Sequence, residues 1–183
     1  VYSFEMVTEA TGFWKVIASG SLIERSTFIL ENNQIRTHDY ELIDTIRKNS
    51  RESKAIFNWN SSSVDGFYKD RTFSIKLQGN TFSRILLQLQ IMHNKEKQIS
   101  SYNNWVLDKD VLKKITILDQ DNMVETLVPF GNFQTLKISH QNENSERINT
   151  LWLAPALNFI PIKIIQSENG KINFEANLTQ LKN

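Results

Sequence analysis

The chain has 183 residues, with 21 Lys and Arg against 20 Asp and Glu and 40% hydrophobic residues. This balanced charge argues against a nucleic-acid-binding protein, which would carry a basic excess, and the absence of cysteine excludes thiol catalysis, disulfides and Cys-based zinc sites. No stretch approaches the roughly 20 consecutive apolar residues that a membrane-spanning helix needs, so we predict no membrane span.

The N-terminal half is dominated by alternation of apolar and polar residues, the pattern of a strand with one buried face. Tyr2, Phe4 and Met6 begin this pattern, whereas residues 11–19 read as a short turn or helical piece. Asp65-Gly66 predicts a type I′ hairpin turn, because both residues tolerate a positive φ. Predicted strands in this half cover residues 2–7, 21–31, 35–43, 55–60 and 72–77.

Residues 81–93 depart from the alternation and predict the one main helix, with Asn80 or Thr81 as its N-cap. The apolar residues in this window recur at intervals of three and four, which places them on one helix face. They are Phe82, Ile85, Leu86, Leu89 and Met92.

Beyond the helix the strand pattern resumes as a meander. The polar residues 119–122 read as a turn between two of its strands, and Asn169-Gly170 reads as another turn. Predicted strands cover residues 103–107, 111–119, 123–128, 133–140, 147–153, 160–167 and 171–181.

Many short strands joined by hairpin-length turns favour an antiparallel sheet over alternating βαβ units. A sheet of this length curls. We therefore predict a mainly β fold, in which a single antiparallel curved sheet forms a half-barrel or a barrel-like structure around the helix. The chain, residues 1–183, is predicted to be a single β-rich domain.

Chemical motifs are sparse. The three histidines are isolated in the sequence, and the acidic residues around Asp119 do not follow the calcium-loop spacing. We therefore predict no metal site, no cofactor and no catalytic residue. Glu24, Tyr40 and Lys163 are the titratable residues that a catalytic alternative would use, on an envelope glycan or lipid, but the sequence favours a protein that is not an enzyme.

The C-terminal third resembles a known family. Residues 129–135 (PFGNFQT) precede residues 150–163 (TLWLAPALNFIPIK), and Ser167-Glu-Asn-Gly170 supplies a following turn. These segments are similar to exported bacterial proteins of the family called domain of unknown function 3108, most specifically at Trp152-Leu-Ala-Pro155. Residues 24–28, 35–40 and 57–59 are similar to the middle strands of that family, so the resemblance covers most of the chain.

The resemblance implies an exported, periplasmic protein of a Gram-negative bacterium with a β-rich fold, and it implies no reaction. Family precursors begin with a signal peptide and a strand pair. Neither precedes Tyr2 here, and we therefore expect the chain to lack that N-terminal strand pair.

A curved sheet with a helix on its concave face suits an apolar ligand. We predict a non-catalytic binding module for an apolar or lipid-like ligand of the cell envelope, while a solid core made of the same residues remains the alternative. A third hypothesis is an envelope scaffold protein that pairs an exposed sheet edge with another protein. The predicted ligand residues are Phe57, Trp59, Ile85, Leu86, Leu89, Met92 and Trp152 for the apolar wall, with Arg36 and Lys163 for an anionic head group.

Overall fold

A computed structural model describes residues 1–9, 20–46, 50–99 and 103–181 of the chain. These residues are mainly strand, with a single α-helix and one 3-10 helix among them. The short helical piece predicted at residues 11–19 lies outside the described residues.

The first sheet has six antiparallel strands in chain order. Its strands alternate buried and exposed residues, as Ser53, Ala55 and Phe57 show in β4, because one sheet face packs into a core. The strands are β1 (Tyr2–Glu9), β2 (Ser21–Glu31), β3 (Gln34–Asp44), β4 (Arg51–Asn58), β5 (Ser63–Tyr68) and β6 (Arg71–Lys76).

The second sheet has seven strands in the order β13-β12-β11-β10-β9-β8-β7. Its strands are β7 (Asn80–Phe82), β8 (Asn104–Asp108), β9 (Val111–Val128), β10 (Gly131–Asn142), β11 (Arg147–Ala154), β12 (Ile160–Glu168) and β13 (Lys171–Asn177). The 3-10 helix, Pro155–Leu157, lies between β11 and β12.

The prediction of a single curved sheet is therefore wrong, although the mainly β class is confirmed. Hairpin pairing stops after β6, because β7 pairs in parallel with β8 and not with β6. A parallel pair needs a crossover connection, and the helix lies within that connection. Neither sheet closes into a barrel within the described residues, since each has two distinct edge strands.

The helix, α1 (Leu86–Glu96), starts and ends later than the predicted range of residues 81–93. Thr81 belongs to β7 and does not cap the helix. Its hydroxyl donates to the carbonyl of Gln78 at 2.6 Å and thereby fixes the turn before β7. The helical spacing of the sequence thus located the helix but not its first turn.

Two predicted turns are strand residues instead. Asp65 and Gly66 lie inside β5, and the flanking turns follow Asn58 and Tyr68. A Cβ at Gly66 would lie 2.1 Å from the carbonyl oxygen of Lys54, so glycine serves close packing there. Residues 119–122 lie inside β9, which runs unbroken past a register shift opposite β10.

The chain forms two compact units. The first comprises residues 1–90 and 104–113, and the second comprises residues 91–103 and 114–183. The division falls within α1 and within β9, and the single-domain assignment of the sequence stays a prediction. The core of the first unit includes Tyr40, Phe57, Val64, Ile85 and Leu107.

Candidate functional site

A fully buried carboxylate in the first unit contacts a core residue. Glu24 of β2 stands directly opposite Leu42 of β3, at a position where the alternation turns its side chain into the core. Its side chain has no exposed surface. A buried charge is strongly destabilising unless it is paired and hydrogen-bonded.

Three hydrogen bonds satisfy this carboxylate. The hydroxyl of Tyr40 donates to Oε1 of Glu24 at 2.6 Å. Arg84, in the segment between β7 and α1, donates from Nε to Oε1 at 3.0 Å and from Nη2 to Oε2 at 2.6 Å. The guanidinium is therefore held in the two-point geometry in which arginine binds carboxylates most strongly.

The protonation states of this cluster follow from its surroundings. Burial, together with the neighbouring Glu24 carboxylate, raises the pKa of Tyr40 well above 10, so the phenol stays protonated and donates. Burial opposes the charge of Arg84, but the Glu24 carboxylate outweighs it and raises the pKa of the guanidinium. Tyr40 is thus a fixed donor, and Arg84 is a fixed cation.

The backbone that carries Arg84 is held by buried hydroxyl groups. The amide of Ser83 donates to Oγ1 of Thr37 at 3.2 Å, and its hydroxyl donates to Oγ of Ser26 at 3.0 Å. All three residues are fully buried. The polar residues at inward positions of β2 and β3 therefore fix the segment from which Arg84 projects.

A second arginine is also held by a buried carboxylate, but both of its donors meet a single oxygen. Arg51 of β4 donates from Nε to Oδ2 of Asp44 at 2.8 Å, and its Nη2 lies 2.5 Å from the same oxygen. The Asp44 side chain is 3% exposed. The Nη1 of Arg51 donates weakly to the hydroxyl of Tyr68, at 3.4 Å.

Both arginines line a small cavity of about 30 Å³, which we call the arginine pocket. Its volume fits one or two water molecules or a single charged group, and is far below the roughly 300 Å³ of a pocket for a drug-sized ligand. Asp108 in its wall is paired with Lys113 at 2.9 Å. The pocket is lined by Tyr40, Leu42, Arg51, Ser53, Tyr68, Arg84, Leu107, Asp108 and Lys109.

The predicted ligand residues of β3, of β4 and of the turn after β4 lie close together. Arg36 stacks on the ring of Trp59, with 5.3 Å from its guanidinium carbon to the ring centroid, and pairs with Glu31 at 2.7 Å. The indole N–H of Trp59 donates to the carbonyl of Thr37 at 2.8 Å. Phe57 is 3% exposed and belongs to the core.

The ligand residues that the sequence places on the helix differ in burial, and the first of them, Ile85, directly precedes α1. Ile85 belongs to the same core cluster as Phe57, and Leu86 is fully buried. Leu89 is half-buried in the first unit, and Met92 is half-buried in the second. Their role as a ligand wall stays a prediction.

Trp152 and Lys163 lie in the second unit, in the segment that carries the family resemblance. A bulge between Trp152 and Leu153 sets Lys163 directly opposite Trp152 and Pro161 opposite Leu153. The ammonium of Lys163 lies 5.6 Å from the ring centroid and that of Lys137 lies 5.5 Å from it. Lys163 also pairs with Glu175 at 3.1 Å.

Sequence reasoning found part of this site. It named Glu24 and Tyr40 together, and the structure joins them by a hydrogen bond. It did not find Arg51, Arg84 or Lys109. The available signal was a charge at Arg84 immediately before the apolar residues 85–87, but its partner Glu24 is 60 residues away in the chain.

Two general features accompany the site. Within the described residues, no group of three or more His, Asp or Glu side chains could hold a metal ion. No helix in the described part of the chain is long and apolar enough to cross a membrane.

Comparison with known proteins gives a family without an assigned activity. No curated protein matches the chain, and no solved structure matches it. The family described as "Protein of unknown function (DUF3108)" matches residues 1–177, which is most of the chain. The chain therefore belongs to the DUF3108 family.

Proposed function

We propose that this protein is a non-catalytic binding module that holds the anionic group of its ligand in the arginine pocket. The observation that carries the proposal is the anchoring of Arg84. Its side chain is 41% exposed, yet its guanidinium is held by a carboxylate with no exposed surface. A cation fixed in this way binds an anion with little loss of side-chain entropy.

The chemistry of the cluster favours binding over catalysis. A general acid or base must exchange protons near the working pH. Glu24 accepts three hydrogen bonds inside the core, and the raised pKa of Tyr40 keeps its hydroxyl protonated. Tyr40 is therefore unsuited to proton transfer, and Glu24 holds Arg84 in place.

The lipid-like ligand expected from the sequence enters this proposal as an amphiphile. An acyl chain occupies several hundred Å³, so a cavity of about 30 Å³ admits only the charged head of such a molecule. Leu42 and Leu107 in the pocket wall provide apolar contacts beside that head. The remainder of the ligand stays outside the arginine pocket.

The proposed compartment is the periplasm, which the family resemblance implies. Fractionation of the source cells, with detection by an antibody against this chain, tests it. Recovery with periplasmic marker proteins is the expected result, and recovery with cytoplasmic markers would refute the assignment.

Comparing an anionic amphiphile with a neutral one distinguishes binding in the arginine pocket from binding to a nonspecific apolar surface. Isothermal titration calorimetry compares dodecanoate with dodecyl maltoside, both below their micelle concentrations. We expect dodecanoate to bind and the neutral maltoside not to bind. Equal binding of both would show that the charged pocket does not recognise the ligand.

Lys109 provides the variant that least disturbs the fold. It lies exposed in the turn between β8 and β9, and no carboxylate among the described residues pairs with it. Replacing Lys109 with Gln should weaken dodecanoate binding about 5-fold, because one exposed charge-assisted contact contributes on the order of 1 kcal/mol. Lys76→Gln, at an exposed lysine of β6 outside the pocket lining, is the matched control and should leave the affinity unchanged.

A further inference from the structure

The outward side chains of β1–β4, which we call the outer face, form an ordered pattern. Alternation turns Glu24, Tyr40 and Phe57 into the core, so their neighbours along these strands point away from it. The strand register sets these outward side chains in rows across the sheet. One row consists of Glu5, Arg25, Glu41 and Lys54, and the next row consists of Val7, Ile23, Ile43 and Glu52.

The second of these rows is apolar on three strands, although it faces solvent. Val7 is 51% exposed and Ile43 is 37% exposed. Ile56, on the same face of β4, is 54% exposed. Apolar side chains grouped on an exposed face beside charged residues are typical of surfaces that bind another protein.

The charges of the first row indicate which protein covers the outer face. From β1 to β4 they alternate as negative, positive, negative and positive, and such a row is complementary to its own reverse. A second copy that packs face to face about a two-fold axis along the strands, between β2 and β3, presents the reversed row. Glu5 then faces Lys54 of the second copy, and Arg25 faces Glu41 of the second copy. We propose that the outer face binds the outer face of a second copy of this chain, which gives a two-fold symmetric dimer.

The same row disfavours other symmetric arrangements. An axis along β2 would set Arg25 against itself and Glu5 against Glu41. An axis that crosses the strands at this row would set each charge against the same charge of the second copy. Like charges in contact are strongly unfavourable, so they select against both arrangements. The axis between β2 and β3 also packs Ile23 against Ile43 of the second copy, which buries the middle of the apolar row.

The size of the overlap predicts a weak dimer. Two copies related by this axis overlap over β1–β4, while β5 and β6 extend past the contact. Four strands about 4.8 Å apart and about eight residues long cover about 500 Å², so the pair buries about 1,000 Å². Because this area is at the lower limit for a specific interface, we expect a Kd on the order of 10–100 µM.

The test exchanges charges across the proposed contact. Sedimentation velocity measures dimerisation of the intact chain from about 5 to 500 µM, a range that spans the expected Kd. Arg25→Glu and Glu41→Arg should each weaken the dimer about 10-fold or more, because each sets two pairs of like charges face to face. An equimolar mixture of the two variants should dimerise to within about 3-fold of the unaltered chain, because every facing pair in the row then has opposite charges. Lys76→Glu, a charge reversal on β6 outside the overlap, is the matched control and should leave the dimer unchanged.

A second pair of variants and a stability measurement separate the contact from the fold. Glu5→Lys and Lys54→Glu carry the same expectation, each weak alone and restored when mixed. Thermal denaturation should show little change in any variant, because the pair that Arg25 forms with Glu5 within one chain is exposed.

Each other outcome contradicts the inference. A monomer at every concentration would overturn it. A dimer that no single variant weakens would place the contact elsewhere on the chain. Loss of the dimer in the variants without recovery in the mixtures would show that these residues do not face each other across the contact. The arginine pocket is lined from the opposite face of the sheet, so these results leave the proposed anion-binding function standing.

Discussion

At the scale of single residues, Glu24 is the least expected member of the fold. A leucine at this inward position of β2 would extend the core beside Leu42, and replacing a buried ion pair by apolar residues is often stabilising. The carboxylate instead receives Tyr40 and Arg84. The carboxylate holds the guanidinium of Arg84 at the wall of the arginine pocket.

Replacing Glu24 with Gln tests this role. The amide keeps the shape but sets an N–H₂ group against a guanidinium and leaves Arg84 without its counter-charge. Because Arg84 is partly exposed, water screens the loss, and we expect the free energy of unfolding to fall by about 2–3 kcal/mol. Urea denaturation measures it. Glu5→Gln, which breaks the exposed pair with Arg25, is the control and should change stability little. Equal effects of the two substitutions would show that burial does not strengthen the Glu24 pair.

His140 gives a prediction about pH. Burial lowers its pKa to about 4, and its buried Nδ1 has no hydrogen-bond partner in the part of the chain that the structure describes. Between about pH 6.5 and pH 4 the unfolded chain therefore binds a proton that the folded chain does not bind. Stability is present above about pH 6.5 and falls as the pH drops through this window, by up to about 3 kcal/mol.

His140→Gln should flatten that dependence. Urea denaturation at pH 7.0, 5.5 and 4.5 compares the variant with the unaltered chain. The two curves of stability against pH should converge as the pH falls, because only the unaltered chain loses the contribution of a neutral histidine. Parallel curves would mean that His140 is protonated equally in both states.

At the scale of elements, β5 carries a glycine that packing requires. A Cβ at Gly66 would meet the carbonyl oxygen of Lys54 at 2.1 Å and Cζ of Phe73 at 2.9 Å. The carbonyl oxygen of Lys54 belongs to the backbone and cannot rotate away as a side chain could. Gly66→Ala should therefore lower the free energy of unfolding by about 2–4 kcal/mol through forced separation of β4 and β5.

Gly170 is the matched control for Gly66. It has a φ of +74°, and no atom lies within 4 Å of the place that a Cβ would take, so alanine there meets only backbone strain. We expect Gly170→Ala to lower stability by about 1–2 kcal/mol. Thermal denaturation of the two variants side by side measures the difference. A smaller loss for Gly66→Ala than for Gly170→Ala would show that β4 and β5 can separate at little expense.

The elements also show how far the sequence can be read. The alternation of apolar and polar residues located most strands to within a few residues, because on a half-buried strand the apolar side chains mark the buried face. The turn predicted at Gly66 is wrong, because a glycine needed for packing looks the same in sequence as a glycine needed for a turn. The turn predicted at residues 119–122 is wrong for a similar reason, because a continuous strand that passes a register shift can also be polar in sequence.

The candidate site was readable only in part for a related reason. Glu24 and Tyr40 stand on neighbouring strands whose pairing follows from a hairpin, so their proximity is a local property. Arg84 reaches Glu24 only through the connection that follows β6 and leads to the second sheet. The sequence pattern does not specify how this connection brings Arg84 back to Glu24, and the arginine pocket depends on that approach.

At the scale of the whole molecule, the charge is nearly neutral. The formal net charge is +1, so the long-range field offers little attraction for an anion. In the proposed function, the cations of the arginine pocket act on the ligand within contact distance instead. Electrostatic attraction should therefore slow the dissociation of a bound anion more than it speeds its association.

The salt dependence of binding tests whether the attraction comes from the long-range field or from contacts inside the arginine pocket. Raising NaCl from 20 to 300 mM shortens the Debye length from roughly 20 Å to 6 Å, which screens distant charges more than contacts inside the arginine pocket. We expect the Kd for dodecanoate to rise by less than about 3-fold, because neither the weak long-range field nor the short contacts inside the arginine pocket respond strongly to salt. Lys109→Gln should reduce that dependence, because it removes the unmatched charge of the pocket. A larger rise, carried by the association rate measured by stopped flow, would place the recognition in the field of the whole molecule.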